Sequence, residues 1–268
     1  MIRSATALLI LLSLASSGFG ASSFRQLPSI GGASISLRKR MHINTLITEP
    51  GTMEVEWGGL YSLTTSDFTF PALIKYTPEG KHIPWGRTEY SVGFDSITTV
   101  GAGAGQLAEF SRAVNLTATS VLHDGEKFDF AVAPLASFFL RDEAGARIGA
   151  VAIARYDSGR NSTGATFSWS GATHSSPTNP AGTIDVGLGY ARNLSGSDLL
   201  SKFTPHVNVL WEKSTGMTRQ VSLFEGVEYQ VLERLAFDLS AQHIAVAGGA
   251  TDHQLVLGMT FNLGRLPR

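Results

Sequence analysis

The sequence predicts an all-β chain, a closed antiparallel transmembrane β-barrel of about twelve strands behind a cleaved signal peptide. Three observations carry that prediction. Between Thr183 and Val231, three consecutive segments alternate apolar with polar or small residues at period two, as strands with one dry and one wet side do. Each has roughly the 9–11 residues that a tilted strand needs to cross a hydrocarbon core. Glycine, at 29 of 268 residues, exceeds its usual share of about 7%, and charged residues, at 16%, fall below the usual quarter. That balance suits closely approaching strands with many positions facing lipid.

Residues 1–20 read as a signal peptide: one base, Arg3, then an apolar run from Ala5 to Leu14, then small residues. The run is too short for a membrane-spanning helix. The segment 21–51 loses the alternation, contains the breakers Pro28, Gly31, Gly32 and Pro50 and the basic run Arg38-Lys39-Arg40, and reads as a flexible tail or a plug for the barrel mouth. The barrel itself spans 52–268. The near-neutral net charge of -1 leaves no electrostatic footprint for nucleic acid. With no cysteine there is no disulfide framework or thiolate metal site. An exported chain of this kind is expected in the bacterial outer membrane.

The first strand, TMEVEWGGLYSL, sets Met53, Val55, Trp57 and Tyr61 against Glu54, Glu56, Gly58 and Ser62, and FTFPALIKYT follows a turn near Asp67. RTEYSVGFDSI comes next. The glycine run 101–105 is a loop without the Lys-Ser/Thr of a phosphate-binding motif. A longer strand is expected to carry Glu109 and Phe110 through to Thr119, with Arg112 misplaced on its dry side. Asp124-Gly125 signals a hairpin. RIGAVAIARYD breaks the rule, because Val151 and Ile153 fall on the wet side if Tyr156 is on the dry one. In the organising segments, Leu210, Phe224 and Glu225 are faults in the alternation. LAFDLSAQ and QLVLGMTFNL end the series, and the even total lets the sheet close. The loops at the two barrel ends come out similar in length, so the sequence does not orient them.

From Glu54 onward the chain resembles the outer-membrane barrel family associated with the meta pathway of phenol degradation, whose members are often called transporters. The resemblance rests on the entry GTMEVEWGGLYSL, the succession of short hairpins and the closing strand HQLVLGMTFNL. It implies a twelve-stranded barrel and passage of small solutes, uncharged aromatic compounds among them. Such barrels usually finish on an aromatic residue, whereas here Phe261 is followed by NLGRLPR.

Strand parity assigns Glu54, Glu56, Lys75, Glu89, Asp95, Glu109, Asp129, Arg155, Asp185, His206, Asn208, Glu212, Glu228 and Asp238 to the lumen. Asp157 joins the acids on these faces, and Arg87, Arg147 and Lys202 join the bases. Acids dominate, which predicts a cation-preferring lumen. Some cancellation is expected where Arg155 and Asp185 approach. The seven histidines are scattered, and His174-Ser175-Ser176 has no evident partner, so neither a catalytic nor a metal site is expected. The alternatives are an outer-membrane lipid hydrolase, a barrel without a conducting path, or a soluble β-sandwich with its apolar faces turned inward. No cofactor is expected. The partners are outer-membrane lipid, a small-molecule solute and the barrel-assembly machinery.

Overall fold

The computed structural model describes residues 47–80, 87–100, 107–109, 113–139, 145–175, 180–249 and 251–265, without the side chains of 95–100 and 107–109. The signal segment, most of the tail, the glycine run and Arg112 lie outside these residues. The strands are β1 (Thr52–Ser62), β2 (Phe68–Tyr76), β3 (Thr88–Val100), β4 (Leu107–Glu109), β5 (Ala113–Asp124), β6 (Phe128–Phe139) and β7 (Gly145–Ser158). They continue with β8 (Asn161–Ala172), β9 (Gly182–Arg192), β10 (Phe203–Ser214), β11 (Gln220–Leu232), β12 (Leu235–Val246) and β13 (Thr251–Arg265). Every pairing is antiparallel. The first strand pairs with the last, Glu54 opposite Asn262 and Ser62 opposite Gln254, so the sheet closes. Closure leaves no backbone edge to be satisfied in hydrocarbon.

Thirteen strands make twelve staves. β4 and β5 both pair with β3, β4 at Thr98–Val100 and β5 along Thr88–Phe94. The strand expected from Glu109 to Thr119 is described in two parts, β4 and β5, and residues 110–112 between them lie outside the described residues. Glu109 belongs to β4, and β5 begins at Ala113.

The faces are inverted relative to a soluble protein. The largest fully buried side chains include Glu56, Glu89, Thr77 and Thr119, whereas Leu188 is 61% and Leu257 60% exposed. A soluble sandwich hides its apolar side chains, so that alternative is excluded by the direction in which these strands point. Most polar side chains face inward and most large apolar ones outward.

Register also distinguishes the two ends. Thr52 pairs with Arg265, so the described chain enters and leaves the barrel at one end. That end holds the tight turns 125–127, 159–160 and 233–234, together with two longer connections, 77–87 and 193–202. The opposite end holds 63–67, 101–106, 140–144, 173–181, 215–219 and 247–250. No connection there is as short as the two-residue turns.

Candidate functional site in the lumen

Of the residues that parity assigned to the inner wall, Glu54, Glu56, Lys75, Glu89, Asp129, Arg155, His206 and Asn208 are buried. Asp185, Glu212, Glu228 and Asp238 sit half-buried on the same face. Asp95 is paired with Pro71 and Glu109 with Thr98, but their side chains lie outside the described residues.

The charges are drawn into local groups. On the β1–β2 wall the Lys75 ammonium donates to Glu54 Oε1 at 3.3 Å and to Glu56 Oε1. Cross-strand pairing of Glu54 with Lys75 makes this contact available. On β6–β7, Asp129 pairs directly with Arg155, whose guanidinium lies 2.7 Å from Asp129 and 2.8 Å from Asp157. The expected approach of Arg155 to Asp185 is corrected by this arrangement, because two carboxylates closer in register hold the guanidinium. Asp185 instead accepts a hydrogen bond from Ser168 Oγ at 2.6 Å and faces Glu212 directly across β9–β10. Arg147, on the same side of the lumen, donates to Ser170 Oγ at 2.9 Å and to the Pro180 carbonyl at 2.8 Å.

Some lumen residues escaped the sequence reading. Asp252 accepts from Ser62 Oγ at 2.9 Å and from Gln254 Nε2 at 2.6 Å, linking β1 and β13 near the end opposite the termini. Its parity, shared with Gln254, was the available signal.

The apolar faults in the alternation lie on the inner wall, whereas Glu225 lies on the outer face. Phe224 is buried inside at 3% exposure, and Val151 and Ile153 point inward with Tyr156 outward, which resolves the conflict in RIGAVAIARYD. Val151 and Ile153 form a cluster with Val121, Ala131 and Ala133, and Ile47, which precedes β1, packs into it from inside the barrel. Thr48 secures this entry segment by donating its N–H to Glu89 Oε2 at 2.8 Å and by sharing a hydrogen bond with Thr77 Oγ1 at 2.7 Å. Leu73 and Val256 are further buried apolar residues of the inner wall, at separate places on it, with Leu60 directly opposite Val256.

One group resembles a hydrolytic constellation. Ser240 Oγ donates to Asp238 Oδ1 at 2.5 Å, and His206 Nε2 lies 3.2 Å from Ser240 Oγ and 3.5 Å from Asp238 Oδ2. Gly226 makes room for it, since a Cβ there would stand 2.3 Å from Ser240 Oγ and 2.8 Å from His206 Nε2. The order of contacts differs from that of a nucleophile, base and orienting acid. The carboxylate holds the serine proton and faces the same imidazole nitrogen as the serine, not the opposite one.

A closed antiparallel barrel with a polar inner wall invites comparison with solved channels. The COG4313 outer membrane channel from Pseudomonas putida F1 superposes with a TM-score of 0.61 at 9% identity, covering 83% of this chain and 98% of that one. The NanC porin gives 0.57 at 10% identity, over 78% of this chain and 100% of the other. The KdgM porin gives 0.55 at 8% identity, over 79% and 99%. This chain has the fold of outer-membrane channel barrels. No protein-family model matches it, and no curated protein does.

Proposed function

We propose that this barrel is an outer-membrane channel that passes small, uncharged solutes, aromatic compounds among them, through its lumen. The observation that carries the reading is the inner wall itself, on which buried, hydrogen-bonded charges stand beside the apolar cluster around Val151 and Ile153 and the buried apolar residues Leu73 and Val256. Such a wall can solvate a polar group and also shelter a ring, whereas a free carboxylate meets the surplus of acids. Barrels of eight strands are filled by side chains and those of sixteen leave an aqueous path. Twelve staves with Ile47 seated inside are consistent with a narrow conduit, in which the segment ahead of β1 acts as a plug.

In this reading the end bearing the termini and the two-residue turns is periplasmic, as short turns are in barrels of this class. Residues 1–20 direct export, and the assembly machinery and outer-membrane lipid are the partners. The chain performs no catalytic step. The test is reconstitution. In planar bilayers, discrete conductance steps are expected, and in liposomes phenol should enter faster than benzoate. Electrical silence together with phospholipid hydrolysis would replace the channel by an enzyme.

A further inference from the structure

Outside the lumen, on the apolar wall, three titratable side chains meet. His243 of β12 and His253 of β13 are direct cross-strand partners near the 247–250 turn, and their parity turns both outward. Their Nδ1 atoms are 2.7 Å apart, with ring planes 74° from parallel. Glu225, on the outer face of β11, places Oε1 3.4 Å from His243 Nε2. The side chains of His243 and Glu225 keep 30% and 35% of their exposure, so the group is reachable from outside the barrel. Leu223, Leu239 and Leu255 share that face. Polar and ionisable groups on a lipid-facing wall are costly unless a specific interaction compensates them.

We propose that His243 and His253 form a two-imidazole site for a divalent transition cation such as Zn2+, with Glu225 as the carboxylate that orients it. The chemistry follows from the contacts. Glu225 beside Nε2 favours the His243 tautomer with its proton there, which leaves the Nδ1 lone pair aimed at His253. In the metal-free pair His253 Nδ1 supplies the proton between them. A cation that takes the place of this proton binds both Nδ1 lone pairs, and the displaced proton passes to His253 Nε2, so both ligands remain neutral imidazoles. With metal–nitrogen bonds of about 2.0–2.1 Å, the two nitrogens need only move apart modestly along the existing contact. A carboxylate on the far nitrogen of a ligating histidine is the usual means of fixing ring and tautomer. Imidazole ligands select Zn2+, Cu2+ or Ni2+ over Mg2+ and Ca2+. No group of three or more ligating side chains converges among the described residues, so the remaining coordination positions fall to water or to groups outside the chain. The site does not depend on the lumen conducting.

The experiment uses the folded full-length protein in detergent. Zn2+ is titrated by calorimetry, and the electron paramagnetic resonance spectrum of bound Cu2+ is recorded. One equivalent of Zn2+ is expected, with no comparable binding of Mg2+, and the Cu2+ spectrum should show coupling to two nitrogens in the parent protein. His243→Gln or His253→Gln should abolish the site, and Glu225→Gln should weaken it by about 10–100-fold. Retained heat-modifiable migration on gels will identify variants that still fold. Absence of stoichiometric Zn2+ binding by the parent, Mg2+ bound as tightly, or binding unchanged in the folded double histidine variant would each overturn the proposal. The Cu2+ spectrum of the parent tests it without any substitution.

Discussion

Lys75 is a single ammonium placed between two glutamates on a wall where all three side chains are buried. Its removal in Lys75→Met leaves adjacent carboxylates facing one another with no cation on that strand pair. Breaking a buried pair in this way costs about 3–5 kcal/mol. The expected result is a lowered urea midpoint for loss of the folded, fast-migrating band, with Glu54→Gln having a milder effect because Lys75 keeps Glu56. On the outer face the governing energy is transfer into lipid. Val207 points outward near the middle of β10, and Val207→Arg should weaken folding into bilayers by about 2–4 kcal/mol. A soluble, fully stable Val207→Arg monomer would contradict the membrane reading.

Among the strands, β7 and β8 show how glycine sets the spacing of a wall. A Cβ on Gly149 would lie 2.1 Å from the Trp169 carbonyl oxygen and 2.7 Å from Ser170 Cα, both backbone atoms that no rotamer change can move. Gly149→Ala must therefore push the two strands apart, at the roughly 1–3 kcal/mol typical of overpacking. Gly171→Ala is the control, since its nearest neighbour would be 3.5 Å away. Faster amide exchange confined to β7 and β8 in the first variant, and absent in the second, is expected. The entry segment is a different kind of element. It contributes Ile47 to an apolar cluster on the far wall and is fastened by Thr48 to Glu89 and Thr77. Deleting residues 22–48 should raise single-channel conductance, and unchanged conductance would show that the segment does not restrict the path.

Across the whole barrel, the described residues of the inner wall include more acids than bases. Glu54 and Glu56 share Lys75, Asp129 and Asp157 share Arg155, and Glu89, Asp185, Glu212, Glu228, Asp238 and Asp252 outnumber the further base Arg147. Local pairing cancels part of this charge but not its sign. Fields in a low-dielectric tube are focused along its axis, so cation preference is expected in a salt gradient. Changing Glu54 and Glu56 together to Gln should move the reversal potential toward zero. Anion preference in the parent would refute the assignment.

Which side of each strand meets lipid and which meets the lumen was determined by the sequence, because period-two alternation is a property of neighbouring residues and needs no knowledge of the partner strand. Parity alone placed Glu54, Lys75 and Asn208 inside and Trp57 and Tyr61 outside. It failed where the lumen is locally dry. Val151 and Ile153 read as errors until Ile47, distant in sequence, was found packed against them. Partner choice was also beyond local pattern. Arg155 is held by Asp129 and Asp157 and not by Asp185, and His243 meets His253, because hairpin register, set by turn length, decides which residues stand opposite. Distinguishing the two ends likewise required the boundaries of every strand, since a shift of two residues at each end makes a two-residue turn look like a longer loop. Face follows from local chemistry, whereas contact across the wall or the lumen follows from register and closure, which only the assembled barrel fixes.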